Sequence, residues 1–123
     1  MSQTRDDKGR WMQRVMAADT LTGDKVVNRQ KEDLGKIEHL MIDIEKGRVA
    51  YAVLSFGGFL GMGGKLFAIP WSALSVDTAE KQFVLDVDKK LLDRAPGFDA
   101  EHWPNMAAPT WGAEISSYYG AKP

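Results

Sequence analysis

Short apolar segments separated by turn residues recur between Lys25 and Val87, and this spacing limits what the chain can fold into more than any other feature. Each segment has the length of a β-strand, and several alternate apolar with polar residues, which places one face in a core. Glycine and aspartate stand at the breaks, where tight turns need them. The pattern predicts a mainly β fold of five to six short antiparallel strands that closes or folds over on itself.

The predicted strands differ in how many of their faces are apolar. They cover residues 25–28, 35–45, 49–56, 65–71, 75–77 and 82–87. In the second, Leu40, Ile42 and Ile44 share one face, which predicts a half-buried strand. The third, Val49 to Phe56, is apolar on both faces, so we expect a core on one side and another layer or a partner on the other.

Helical patterns replace the strands after Val87. Asp88 is a suitable N-cap for a helix that ends near Ala95, with Leu91, Leu92 and Ala95 facing the sheet. A second apolar set follows at helical spacing and consists of Trp111, Ile115, Tyr118 and Tyr119. This set predicts an amphipathic C-terminal helix whose apolar face covers another surface.

The length of 123 residues suits one domain. We expect an N-terminal arm at residues 1–18, loosely tied or docked on a partner, a barrel domain at 19–98 and a helical extension at 99–123. The formal charge of -1 provides no general attraction for nucleic acid, and acidic residues dilute the basic ones near the first turn, so we expect neither DNA nor RNA as a partner. No export signal or bilayer-spanning run is visible, which indicates a cytoplasmic protein without membrane insertion.

The residues that carry common enzyme chemistry are missing or isolated. The chain has no cysteine, and its two histidines, His39 and His102, stand in different elements. Gly64-Lys65 resembles the end of a phosphate-binding loop, but Phe59 and Leu66 replace the glycine and hydroxyl that such a loop requires. We therefore expect no catalytic residue, no cofactor and no metal ion.

Two sets of large apolar residues are candidate protein contacts. Phe59, Leu60 and Met62 lie in a segment with five glycines among eight residues, 57–64, which must be a loop. The second set is C-terminal and consists of Trp103, Trp111, Tyr118 and Tyr119. The alternatives are a flexible connection for the loop and a helix packed on its own barrel for the terminal set.

Several short motifs, taken in order, resemble a bacterial PRC-barrel domain protein of the single-domain type. They are Leu21-Thr22-Gly23, Leu34-Gly35-Lys36-Ile37, Gly47-Arg48-Val49, the run from Tyr51 to Gly61, Phe67-Ala68-Ile69-Pro70-Trp71 and Phe83-Val84-Leu85-Asp86. Ala95-Pro96-Gly97-Phe98 and His102-Trp103-Pro104 are also similar to that branch. Lys31 stands where the family often has glycine, and His39 where it often has an acidic residue.

The resemblance implies a small β-barrel-like fold, shared with the cytoplasmic domain of the photosynthetic reaction-centre H subunit and the C-terminal domain of a ribosome maturation factor. Those relatives use the fold for protein contacts, and the family supplies no catalytic residue to transfer. The first hypothesis is thus a non-enzymatic interaction or scaffolding module that associates with itself as a homo-oligomer. The alternatives are an accessory factor in ribosome maturation or RNA processing, and a cytoplasmic component that modulates electron transfer at a photosynthetic or other membrane complex.

Overall fold

Six short strands form a single sheet in the computed structural model, which describes residues 15–56, 65–77 and 79–121. In chain order they are β1 (Lys25–Val27), β2 (Asp33–Asp43), β3 (Arg48–Phe56), β4 (Lys65–Pro70), β5 (Leu74–Asp77) and β6 (Gln82–Leu85). The sheet order is β4-β3-β2-β1-β6-β5, and the sheet curls around one core. The predicted mainly β, barrel-like fold is confirmed.

One pair of neighbouring strands departs from the predicted antiparallel arrangement. β1 and β6 run parallel, with Val26 beside Phe83, whereas the other four pairs are antiparallel. The connection from β4 to β5 explains the difference. It is a 3-10 turn over Trp71–Ala73, which bends the chain without reversing it. The chain therefore passes from the β4 edge of the sheet to the β5 edge without a change of direction. After the β5–β6 hairpin, β6 runs in the same direction as β1.

The connection between β1 and β2 is organised by Asn28, which is buried. Its Oδ1 accepts hydrogen bonds from the backbone N–H groups of Gln30 at 3.1 Å and Glu32 at 2.9 Å. Its Nδ2 donates to Glu32 Oε1 at 2.8 Å and to the carbonyl oxygen of Val87 at 3.2 Å. Lys31 has a φ of 67°, the left-handed region that glycine adopts without strain. The departure from glycine at this turn therefore has a conformational cost.

The concave side of the sheet is filled by one hydrophobic cluster. It contains Leu21, Val26, Leu34, Ile37, Ala52, Leu54, Phe67, Ile69, Phe83, Leu85, Leu92 and Ala95. Trp71, in the 3-10 turn, meets the ring of Phe83 edge-on at 5.8 Å. The turn that joins the two sheet edges is thus anchored in the same core as the strands.

The convex side of β3 and β4 is also buried. Val53, Leu66 and Ala68 alternate with the concave residues and are almost completely inaccessible. The C-terminal segment covers this face with Trp103 and Trp111, whose rings meet His39 at 5.3 Å and Tyr51 at 5.1 Å. At the sheet edge, Phe98 and Leu66 exchange two backbone hydrogen bonds of 2.8 Å. The predicted second layer over β3 is therefore part of the same chain.

Three α-helices occur in the described part of the chain, and none is long and apolar enough to cross a bilayer. They are α1 (Ala18–Leu21), α2 (Lys89–Asp93) and α3 (Pro109–Tyr118). Asp88 caps α2 as predicted, accepting a hydrogen bond from Lys90 N at 2.9 Å. Leu92 and Ala95 enter the core, but Leu91 is exposed, contrary to the prediction, because one side of so short a helix faces solvent.

The predicted N-terminal arm is described only at its end. Met16 packs against the core, whereas Val15 is exposed. Residues 1–14 lie outside the described residues, as do 57–64, 78 and 122–123. The predicted boundaries of the arm, barrel and extension stay predictions.

Candidate interaction surface

The far end of the β2–β3 hairpin carries apolar side chains on the protein surface. Ile42 is 51% exposed and Ile44 is 89% exposed. The register shifts between Met41 and Ile42, and the strand ends at Asp43 rather than continuing to Glu45 as predicted. Leu40 packs against the core, but the alternation is lost beyond Met41, so Ile42 and Ile44 are not part of the buried face that was predicted.

The hairpin turn is rigidly held by one carboxylate. Asp43 Oδ1 accepts hydrogen bonds from the backbone N–H groups of Glu45 and Lys46, both at 3.1 Å. The N–H of Gly47 donates to the carbonyl oxygen of Asp43 at 2.8 Å, and Gly47 takes a φ of 65°. These bonds fix residues 44–47 as a compact turn, and Ile44 projects from it.

An open groove of about 1010 Å³ lies beside this hairpin end. Its walls are formed by residues 41–45 and 48–51 of the hairpin, residues 70–72 at the β4–β5 corner, and residues of the C-terminal segment between 106 and 116. Met41, Val49, Trp71 and Met106 supply much of its apolar character. This volume lies at the upper end of the range of ligand-binding clefts.

Close packing of α3 on β3 builds the C-terminal wall. The rings of Tyr51 and Trp111 meet edge-on at 5.1 Å, and a Cβ on Gly112 would lie 2.9 Å from the Tyr51 hydroxyl oxygen. Burial raises the pKa of Tyr51 above its ordinary value. Gly112 is therefore the residue that lets α3 approach the strand so closely.

The charged groups at the hairpin end are exposed and balanced in sign. Glu45, Lys46 and Arg48 are all exposed, and no ion pair joins them to any other residue in the described ranges. With Asp43 they make two acidic and two basic groups. The rim of the groove is thus electrostatically neutral but locally polarised.

The predicted contact residues occupy different places. Phe59, Leu60 and Met62 lie outside the described residues. Trp111 packs on Tyr51 but does not itself line the groove, and Tyr118 and Tyr119 pack against the core. Tyr118 also donates a hydrogen bond to the carbonyl oxygen of Leu91, which ties α3 to α2.

Burial and the neighbouring Tyr118 raise the pKa of the Tyr119 hydroxyl. The two tyrosines thus fasten α3 to the body of the protein. A contact role for the predicted set stays a prediction.

Trp103 forms a second surface patch in the C-terminal extension. It is 39% exposed and stands between His39 of β2, at 5.3 Å, and Phe98, at 5.0 Å between ring centroids. Its Nε1 donates to the carbonyl oxygen of Ala100 at 3.0 Å. These contacts hold the indole against the sheet while leaving part of it accessible.

The two histidines occupy separate surroundings. His39 contacts Trp103, whereas Nδ1 of His102 lies 2.7 Å from Oδ1 of Asp99. That hydrogen bond, joined by one from the backbone of Glu101, lowers the pKa of Asp99. Across the ranges that the structure describes, no cluster of three or more potential metal ligands occurs.

Ile42 and Ile44 are the surface residues that the sequence interpretation missed. Their spacing is the same as that of a buried strand face, so period alone cannot identify them as exposed. The sequence feature that could have identified Ile44 as exposed is its position directly before the Glu45-Lys46-Gly47 turn, because a side chain at the end of a strand lies beyond the core that the sheet covers.

The fold is that of a small curled β-sheet domain with an open groove at one end. The sequence profile of the PRC-barrel domain matches residues 13–92. The chain therefore belongs to the PRC-barrel domain family. The C-terminal wall of the groove lies beyond the matched residues.

Comparison with known proteins gives matches among solved structures. No curated protein sequence matches the chain. Among solved structures, it is similar to a protein from Pseudomonas aeruginosa assigned as the 16S ribosomal RNA processing protein RimM, with 23% identity and a TM-score of 0.41. The match covers 60% of this chain and 44% of that one, so the two share part of their length only.

Proposed function

We propose that this protein is a non-catalytic PRC-barrel interaction module that associates with itself. The single observation that carries the proposal is the exposure of Ile42 and Ile44 beside an open, mainly apolar groove. Exposed apolar side chains grouped at a concave surface are typical of protein interfaces. A contact that covers them removes this surface from water.

The chemistry of the groove favours binding over catalysis. Asp43 uses one carboxylate oxygen to hold two backbone N–H groups of the turn. Arg48 and Glu45 are exposed to solvent at the rim. The groove thus offers an apolar contact area with a charged rim.

The described residues favour neither alternative function. Of the basic residues near the first turn, Arg29 pairs with Asp86 at 2.9 Å, and Lys36 lies 3.9 Å from Glu38. These acidic partners reduce the positive potential that RNA binding requires. We therefore rank roles in ribosome maturation, RNA processing and electron transfer below self-association as proposed functions. In each of these alternative roles, the contact would also be made to protein.

The solution mass of the intact protein tests the proposal. Light scattering over a wide concentration range is expected to give a mass that rises from that of the 13.7 kDa chain to a multiple of it. A Phe59→Ser, Leu60→Ser variant, measured in parallel, reports whether the glycine-rich segment contributes. A constant monomer mass at all concentrations would contradict self-association.

A further inference from the structure

We infer that the β2–β3 hairpin is the contact between copies: in a two-fold symmetric pair, Ile44 of each copy enters the groove of the other. The inference rests on the proposed self-association and specifies the surface, the partner and the symmetry. It concerns the hairpin end, residues 41–48, which the sequence interpretation did not assign to a contact, and the groove beside it.

The positions of the hairpin and the groove make a reciprocal fit possible. Ile44 projects from the turn, and the groove begins at the same turn, since residues 41–45 form part of its wall. A two-fold contact uses the same patch on both copies, so a projecting side chain and its receiving surface must lie side by side on one molecule. This hairpin end meets that requirement.

The receiving surface is apolar where Ile44 would enter. Val49 and Met41 line it from the hairpin, and Met106 lines it from the C-terminal segment. Methionine side chains adapt to the shape of an inserted group. Ile44 would thus exchange water for an apolar pocket, which is the main driving force for association.

The charges at the rim match a second copy of the same hairpin. Glu45 and Arg48 are exposed on each copy and form no ion pair within the described residues. In the inferred pair, Glu45 of one copy meets Arg48 of the other, and two-fold symmetry then forms the same ion pair a second time. A partner with charges of only one sign would place two of the four rim charges opposite a charge of the same sign. These rim charges are Asp43, Glu45, Lys46 and Arg48.

Replacement of Ile44 tests the apolar part of the contact. Ile44→Asp is expected to weaken association by about 10-fold per copy, and hence on the order of 100-fold for a symmetric pair, because a charge would be buried in each groove. Val76→Asp is the matched control, since Val76 is also exposed but lies on β5, outside the groove. It should leave the dissociation constant within about 2-fold. Circular dichroism spectra establish that both variants are folded.

Charge exchange tests the reciprocal pairing. Glu45→Arg alone and Arg48→Glu alone each place like charges opposite one another and should weaken association, most strongly at low salt. The double variant Glu45→Arg, Arg48→Glu restores opposite charges and should recover association close to that of the intact protein. A structural effect of either single change on the monomer would not be rescued in this way.

The outcomes separate the contact surface from the proposed function. Loss of association in Ile44→Asp, with rescue in the double charge variant, supports the inference. An intact protein that associates, together with an Ile44→Asp variant that associates equally well, overturns the hairpin contact but leaves self-association standing. An intact protein that stays monomeric overturns both.

Discussion

Asn28 should be the most important polar side chain for the stability of the domain. It is buried, and its amide makes four hydrogen bonds that close the β1–β2 connection and tie it to the end of β6. β1 pairs with β6 over only two residue pairs, so the link from Asn28 to Val87 reinforces the place where the two halves of the sheet meet. We expect Asn28→Ala to destabilise the whole sheet.

The structure sets the size of the effect. Each hydrogen bond contributes about 0.5–1.5 kcal/mol net, and an unsatisfied buried partner costs about 1–3 kcal/mol. Gln30 and Glu32 lie at the surface, so their N–H groups can bond to water, but the half-buried carbonyl of Val87 has poorer access. The free energy of unfolding should therefore fall by about 2–3 kcal/mol, and Tm by roughly 8–15 °C.

Urea and thermal unfolding, followed by circular dichroism, measure this loss. Gln30→Ala changes an exposed side chain in the same connection and should cost less than about 0.5 kcal/mol. Asn28→Asp keeps the acceptor Oδ1, but it replaces the donor Nδ2 with an oxygen that faces Glu32 Oε1. Because the two carboxylates repel each other at neutral pH, this variant should be at least as unstable as Asn28→Ala. A loss below about 0.5 kcal/mol for Asn28→Ala would refute the central role of this side chain.

Three further substitutions have defined outcomes. Lys31→Gly should raise the free energy of unfolding by about 0.5–1 kcal/mol in urea, because it removes the strain of a positive φ; a lower midpoint would contradict that strain. Gly35→Ala should lower it by about 3–5 kcal/mol, since a Cβ would lie 1.9 Å from the Ser55 carbonyl oxygen at a φ of 105°, and a midpoint close to that of the intact protein would disprove the close approach. Burial raises the pKa of Asp24 from 3.8 to about 6, so the free energy of unfolding should fall as pH rises from 3.8 through about 6. Asp24→Asn should remove that fall and raise the free energy of unfolding by about 1 kcal/mol at pH 7, an amount reduced for partial exposure. Parallel pH profiles for the two proteins would exclude this carboxylate as the cause.

The strands could be predicted because their period and turn residues are local properties. The N-cap at Asp88 and the apolar side of α3 were predicted for the same reason. The parallel pairing of β1 with β6 could not be predicted, since it depends on whether the Trp71–Ala73 turn bends or reverses the chain. Local sequence specifies that a turn occurs more clearly than it specifies the direction in which the chain leaves it.

The candidate site was less predictable than the fold. Ile42 and Ile44 continue an alternation that is buried elsewhere in the sheet, and only the register shift beyond Met41 and the end of the strand expose them. Groove formation also requires α3 to pack beside Tyr51, a contact between residues 60 positions apart at Trp111. Such long-range packing has no signature in a single segment of sequence.

Chemical cross-linking between copies tests the hairpin contact most directly, because the chain contains no cysteine. Ile44→Cys introduces a single thiol at the proposed contact, and Val76→Cys introduces one at an exposed position outside it. With a short bis-maleimide reagent at a concentration where the intact protein associates, Ile44→Cys should give a covalent dimer and Val76→Cys should stay monomeric. Equal cross-linking of the two variants, or none at Ile44→Cys, would contradict a dimer built on this hairpin.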